Sequence, residues 1–220
     1  MTTRSLFSSQ GISLGFTMAA LATMGACTAG TAGSTVQTET GSMATGAVVS
    51  GRTAKQVSAA WPEKQRGTVN EMIAKYGEPA VVGERMIAWH NNGPFVTTVV
   101  YRDEVQHNFP MAHVDYLTQT VRHGVPASKL AELSEYDGSV WYHRTRGELS
   151  AQCDVEAMNL LALNLAHDVI TGKRTVADAR AFYAKTAMAF KQGDKSSPYV
   201  TGLTFEQERN AADPDKPHSM

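Results

Sequence analysis

The sequence predicts an α+β domain, a mostly antiparallel sheet of about four strands with helices packed on one face. Three observations predict it. Apolar residues recur at helical spacing in well-separated stretches. Runs of alternating apolar and polar residues lie between them. The joints carry Gly, Pro, Asn or Asp.

The elements follow in order. Thr68-Val69-Asn70-Glu71 reads as a capping box, with Thr68 covering an unpaired amide and Glu71 reaching back. Val69, Met72, Ile73 and Tyr76 then share one helical face, and Gly77 with Pro79 stops the helix. Val81 to His90 and Phe95 to Arg102 read as two strands joined by the turn Asn91-Asn92-Gly93-Pro94, with Phe95, Thr97, Val99 and Tyr101 on one face. Tyr116 to His123 reads as a third strand. Pro126 to Ser134 reads as a short helix closed by Asp137-Gly138. Ser139 to Arg146 reads as a fourth strand, with Gly147 a bulge or bend. Val155 to Thr171 is a helix apolar nearly all round, which places it centrally. Asp154 reads as its N-cap, and Gly172 ends it. Thr175 starts a last helix with Ala179, Phe182, Tyr183, Thr186 and Phe190 on one side.

The N-terminus carries an address. Residues 1–26 hold a single charge, Arg4, then the apolar stretch Ile12 to Met24, then small Gly25 and Ala26 before Cys27. This is the layout of a lipoprotein signal peptide, with Cys27 as the lipid attachment site of the mature chain. The apolar run is too short for a membrane span, which takes about 20 residues. An ordinary secretory peptide cut near Ala20-Leu21-Ala22 is the competing reading. The chain has two cysteines. An acylated Cys27 leaves Cys153 without that partner, whereas an unmodified one is available for a disulfide. Thr28 stands where inner-membrane lipoproteins commonly carry Asp, which leans towards the outer membrane. Residues 27–51 are Thr, Gly, Ala and Ser with few large side chains, a flexible tether. The globular domain is expected over 52–206, and 207–220 as a disordered tail.

With 20 Lys+Arg against 21 Asp+Glu, the chain has no electrostatic case for binding nucleic acid. No basic cluster sits near the anchor to hold anionic lipid headgroups. The expected membrane contact is the lipid itself, and the expected partner is a protein of the cell envelope.

Trp89-His90-Asn91-Asn92-Gly93-Pro94, His113-Val114-Asp115, Asp137-Gly138-Ser139-Val140, Gly147-Glu148-Leu149-Ser150-Ala151 and Asn164-Leu165-Ala166-His167-Asp168 together resemble an uncharacterised family of proteobacterial exported proteins and lipoproteins. That resemblance implies export and brings no activity with it. A local likeness runs through residues 66–102: helix, Tyr76-Gly77-Glu78-Pro79, strand, Trp89-His90 and a second strand. It resembles the small outer-membrane assembly lipoproteins of the SmpA/OmlA type, which implies binding to partner proteins.

The histidines His90, His107, His113, His123, His143 and His167 include no H-x-x-x-H pair. There is no Cys-x-x-Cys, G-x-S-x-G, P-loop or dinucleotide fingerprint either. The best local cluster is His113-Val114-Asp115. In an extended chain both side chains lie on one face, and a carboxylate beside an imidazole orients it for base or metal-ligand work. A loop-end hydrogen bond explains the same spacing. Glu148, Cys153, Asp154 and Glu156 form a second cluster. A cysteine near a helix start favours thiolate, while the acidic neighbours oppose it, so a packed role competes with a reactive one. The candidate polar or metal site is therefore His113, Asp115, Glu148 and Cys153. No catalytic residue is assigned, and the cofactor and metal are unknown. His167 reads as a core or capping residue. Trp61, Trp89 and Trp141 read as core anchors, and Arg144 and Arg146 as a solvated strand face.

Two functions remain open. One is a membrane-anchored, periplasm-facing binding or accessory module without catalysis. The other is a metal-dependent or thiol enzyme using His113, Asp115, Glu148 and Cys153. Small-ligand binding is a third reading, and it requires an apolar pocket with a few polar groups.

Overall fold

The computed structural model describes residues 51–219. Cys27, the expected signal peptide and the tether up to residue 50 lie outside the described residues. The chain runs α1 (Ala54–Ser58), α2 (Glu63–Tyr76), β1 (Val81–Val82), β2 (Met86–Asn92), β3 (Phe95–His107), β4 (His113–Arg122), a 3₁₀ turn, α3 (Leu130–Tyr136), β5 (Val140–His143), β6 (Glu148–Cys153), α4 (Glu156–Ile170), α5 (Val176–Lys191) and α6 (Pro198–Thr201). It is α+β, with one antiparallel sheet in the order β1-β2-β3-β4-β6-β5.

The sheet has six strands, not about four, and both additions have local causes. The expected first strand breaks at Gly83, whose N–H bonds the Met86 carbonyl at 2.9 Å, so Val81 folds back opposite Ala88. The expected bend at Gly147 is a full hairpin turn, and Glu148–Cys153 returns as β6 beside β4. Glu-Leu-Ser-Ala-Gln-Cys is rich in helix-favouring residues. Pairing on both sides, with Leu149, Ala151 and Cys153 turned into the core, overrides that preference.

Register sets the buried face. Ile87, Val100, Leu117 and Cys153 form one row across β2, β3, β4 and β6. Trp89, Thr98, Gln119 and Ala151 form the next. The α1–α2 pair and its link pack Val57, Trp61, Val69 and Met72 against the β2–β3 end of these rows. The helices α3 to α6 cover the β6–β5 end. Central α4 is buried along nearly its whole length, as its apolar circumference predicts. Asn159 is one of its three buried polar residues, with Asn164 and Asp168, and its Nδ2 donates to the Leu117 carbonyl at 2.9 Å, fixing α4 over β4. Glu156, at the start of α4, joins three elements. It accepts from Tyr76 Oη of α2 and from Gln119 Nε2 of β4, each at 2.7 Å, and pairs with Lys75.

Two expected caps are replaced. Helix α2 begins at Glu63 after Pro62, so Thr68 is interior, and its hydroxyl meets Tyr116 Oη at 3.5 Å instead of capping. Val155, not Asp154, is the N-cap residue of α4, and it supplies no side-chain bond. Trp61 and Trp89 are core residues, whose indole N–H groups bond the Glu84 and Gly77 carbonyls at 3.1 and 2.8 Å. Trp141 is 43% exposed and anchors no core.

Residues beyond 206 make contacts that the expected boundary leaves out. Gln207 accepts from the Arg122 N–H at 2.8 Å and donates to the Pro94 carbonyl at 2.6 Å. Ala211 is buried against Gly147. Arg144 pairs with Asp213 and Asp215. Among the described residues, no helix is long and apolar enough to cross a membrane.

Candidate functional site

The end of β3, the start of β4, the start of β5 and the end of β6 meet at one edge of the sheet. His107 and His113 are register partners across the β3–β4 hairpin. Asp115 lies two residues along, on the same face as His113. A β-bulge between Val100 and Val105 resets the register just before His107, and such irregularities re-aim side chains near strand ends. The connecting loop 108–112 is held down by Phe109. Its ring lies 5.2 Å from that of Tyr183 on α5 and is covered by the Arg180 guanidinium at 3.8 Å.

Asp115 is the centre of the cluster and only 1% exposed. Its Oδ2 accepts from Ser139 Oγ at 2.5 Å and lies 3.2 Å from His107 Nδ1. Its Oδ1 is 3.1 Å from His113 Nε2, an ion-pair contact when the ring is protonated, and no well-aligned hydrogen bond reaches it. The second nitrogen of each imidazole is also engaged. His113 Nδ1–H donates to the Met111 carbonyl at 2.8 Å, and His107 Nε2 lies 3.5 Å from Asp137 Oδ1. Asp137 in turn accepts from the Ser139 N–H at 2.8 Å. Cys153 Sγ sits 3.4 Å from His113 Nε2 and 3.5 Å from Asp154 Oδ1.

These contacts set the titration of the site. The Asp115 carboxylate raises His113 to about 8, against the opposing effect of burial. Below that pH the ring is cationic, with Nε2–H facing Asp115 and Cys153. Burial pushes the Cys153 thiol well above its ordinary range, and the charges of Asp154 and Asp115 add to this. Burial likewise raises Asp137. A thiol whose ionisation is disfavoured in this way lacks the thiolate that a thiol nucleophile presents beside an imidazolium.

Of the four expected site residues, His113, Asp115 and Cys153 come together and Glu148 does not. Glu148 starts β6, opposite Arg122 and His143, and its nearest cation is Arg146 at 3.7 Å. Cys153 ends the same strand, about 17 Å away at 3.3 Å per residue. His107, Asp137 and Ser139 belong to the cluster and were not singled out by sequence reasoning. The one available signal is Asp137-Gly138-Ser139-Val140, which the sequence offers as a helix stop at Asp137-Gly138 and as a segment of the family resemblance, with no role in a site. Nothing local in the sequence links it to His107.

His107, His113 and Asp115 present one donor atom each within 4.8 Å of one another, a set able to hold a metal ion. Beside them opens a cavity of about 350 Å³ between the 108–112 loop, the start of α4 and α5. Met111, Met158, Tyr183 and Phe190 line its walls, His113 and Cys153 its floor, and Lys64 and Lys191 are among its polar residues. A depression of about 530 Å³ at the β2–β3 turn is lined by Lys75, Tyr76, Trp89 and His90, and among the described residues no comparable set of metal-binding donors converges there.

Two further polar groups are structural. His123 Nε2 and His167 Nδ1 are 2.9 Å apart, with the Phe205 ring stacked on His167. Asp168, fully buried near the end of α4, accepts from Tyr199 Oη at 2.6 Å and Arg174 Nε at 2.9 Å, and pairs with Lys173 at 2.9 Å.

No family model, curated protein or solved structure matches this chain.

Proposed function

We propose that this chain is an exported, lipid-anchored module on the periplasmic face of the cell envelope, at the outer membrane, and that it binds a ligand without transforming it. The resemblance to exported lipoproteins and the layout around Cys27 support the address. One observation carries the binding reading: the cavity of about 350 Å³ whose apolar walls end on the His113–Cys153 floor. Ligand sites are concave, mostly apolar and furnished with a few placed polar groups. The enzyme reading is weaker on two counts. Glu148 stands a strand-length away, and burial raises the Cys153 thiol above its ordinary range, which disfavours the thiolate a nucleophile needs.

Two measurements test this. The mature protein taken from membranes should begin at Cys27 and carry acyl mass. An unacylated N-terminus elsewhere refutes the anchor. The full chain carrying Cys27→Ser should bind an apolar fluorescent probe, and Ala187→Trp, which enlarges a side chain of α5 lining the cavity, should weaken binding at least tenfold. Equal binding by that variant refutes the cavity as the site.

A further inference from the structure

We propose that His107, His113 and Asp115 hold a divalent transition-metal ion of the Zn(II) class at the floor of this cavity, with Cys153 as the fourth donor. The inference rests on the same cavity as the binding reading but requires no organic occupant.

Four observations carry it. First, Asp115 Oδ1 is a buried carboxylate oxygen with no well-aligned hydrogen bond, although His113 Nε2 is only 3.1 Å away. A buried acceptor left unpaired is costly, and an ion between the two atoms satisfies both. Second, the spacings suit one small ion. His107, His113 and Asp115 offer donors within 4.8 Å of one another, with His113 Nε2 to Asp115 Oδ1 at 3.1 Å and His107 Nδ1 to Asp115 Oδ2 at 3.2 Å. Cys153 Sγ, outside that set, lies 3.4 Å from His113 Nε2 and would shift inward on binding. Donors at zinc bond lengths around a tetrahedral ion lie roughly 3–3.7 Å apart.

Third, the outer partners are those a metal-binding histidine uses. His113 Nδ1–H is tied to the Met111 carbonyl, leaving Nε2 as the donor atom. His107 Nε2 faces the Asp137 carboxylate, leaving Nδ1. Ser139 Oγ donates to Asp115 Oδ2 at 2.5 Å and lies 3.3 Å from His107 Nδ1, so it holds these two donors together. Such partners fix the tautomer and the ring direction. Fourth, the chemistry of the set is selective. Two imidazoles, one carboxylate and a thiol favour zinc-like ions over Mg²⁺ or Ca²⁺, which take oxygen shells. Four protein donors close the coordination sphere, as in structural sites. The ion would then pin the 108–112 loop to the end of β6 and shape the cavity floor. On binding, the Cys153 thiol proton and, below about pH 8, the His113 Nε2 proton leave to solvent as the sulfur–metal and nitrogen–metal bonds form, so the step balances without a redox partner.

The test uses the full chain carrying Cys27→Ser, stripped with a chelator, desalted and titrated with Co(II) and then Zn(II). One Co(II) per chain is expected, with tetrahedral d–d absorption and a thiolate-to-cobalt charge-transfer band that Zn(II) abolishes. His107→Gln, His113→Gln and Asp115→Asn should each weaken Zn(II) binding at least about 100-fold, and Asp137→Asn about tenfold. Cys153→Ser should remove the charge-transfer band. His90→Gln, on exposed β2 surface, should change nothing. Zn(II) should also raise the unfolding midpoint of the parent and not that of His113→Gln. If a ligand variant fails to fold, the parent spectrum and the Cys153→Ser comparison still decide. No one-to-one binding, or binding undiminished in the ligand variants, overturns the site. A one-to-one complex without the sulfur band overturns the assignment of Cys153. Probe binding sensitive to Ala187→Trp in a chain that takes no metal would separate failure here from failure of the binding reading.

Discussion

Asp168→Asn should destabilise the domain by about 2–3 kcal/mol at neutral pH. The carboxylate is fully buried and accepts from Tyr199 Oη and Arg174 Nε, with Lys173 Nζ alongside. Hydrogen bonds to a charged group are worth about 1.5–3 kcal/mol each. Asparagine keeps an acceptor for one donor and confronts the other with an amide N–H. The loss is discounted because the Lys173 and Arg174 side chains are 59% and 26% exposed and rehydrate. A carboxylate late in α4 also opposes the helix dipole, so its removal returns about 0.5 kcal/mol. For a domain of this size the midpoint should fall about 5–10 °C.

The pH dependence is a second reading of the same residue. Burial pushes the Asp168 carboxyl up, but the bonds from Tyr199, Lys173 and Arg174 more than reverse this and hold it below the ordinary range. A group whose folded pKa is depressed contributes fully above its unfolded value, about 3.9, and loses that contribution as pH falls through the lower folded value. Urea unfolding of the Cys27→Ser chain and its Asp168→Asn variant, from pH 7 down to 3, should therefore show a gap that narrows below about pH 4. A gap under about 0.5 kcal/mol at pH 7, or one independent of pH, would refute the reasoning.

In the metal-free chain carrying Cys27→Ser, the Cys153 thiol should alkylate at least tenfold more slowly than free cysteine at pH 8, and urea should abolish the difference; equal native rates would remove the buried-thiol assignment. Gly147→Ala should cost about 1–3 kcal/mol and loosen the C-terminal segment. Gly147 has φ +63°, and a Cβ there would lie 2.2 Å from the Ala211 carbonyl carbon. Limited proteolysis near 209–216 should therefore accelerate, and unchanged cleavage would count against that packing. Leu161→Ala, at the fully buried centre of α4, should cost about 3–5 kcal/mol in urea unfolding, and a loss under 1 kcal/mol would contradict the central placement of that helix.

The local parts of the fold were legible because they are written locally. The α4 apolar circumference, the Asn91–Pro94 turn and the spacing of α5 each depend on residues a few positions apart. The hairpin return through Glu148–Cys153 was not legible, because its residues favour a helix and become a strand only by pairing with β4 and β5. The Thr68 capping box failed for the opposite reason. Its local chemistry was sound, but Pro62 starts the helix earlier and leaves Thr68 facing Tyr116.

The candidate site divides the same way. His113 and Asp115 share a face because alternation in an extended chain is a property of two residues and the backbone, and the sequence alone determined that pair. Glu148 and Cys153 were grouped by nearness in sequence, and a strand laid between them separates them by its own length. His107, Asp137 and Ser139 come from three other positions in the chain. Only the β3–β4 register, the bulge after Val100 and the return of β6 decide that they meet at Asp115. That convergence depends on contacts between residues up to about forty positions apart, which no local spacing encodes.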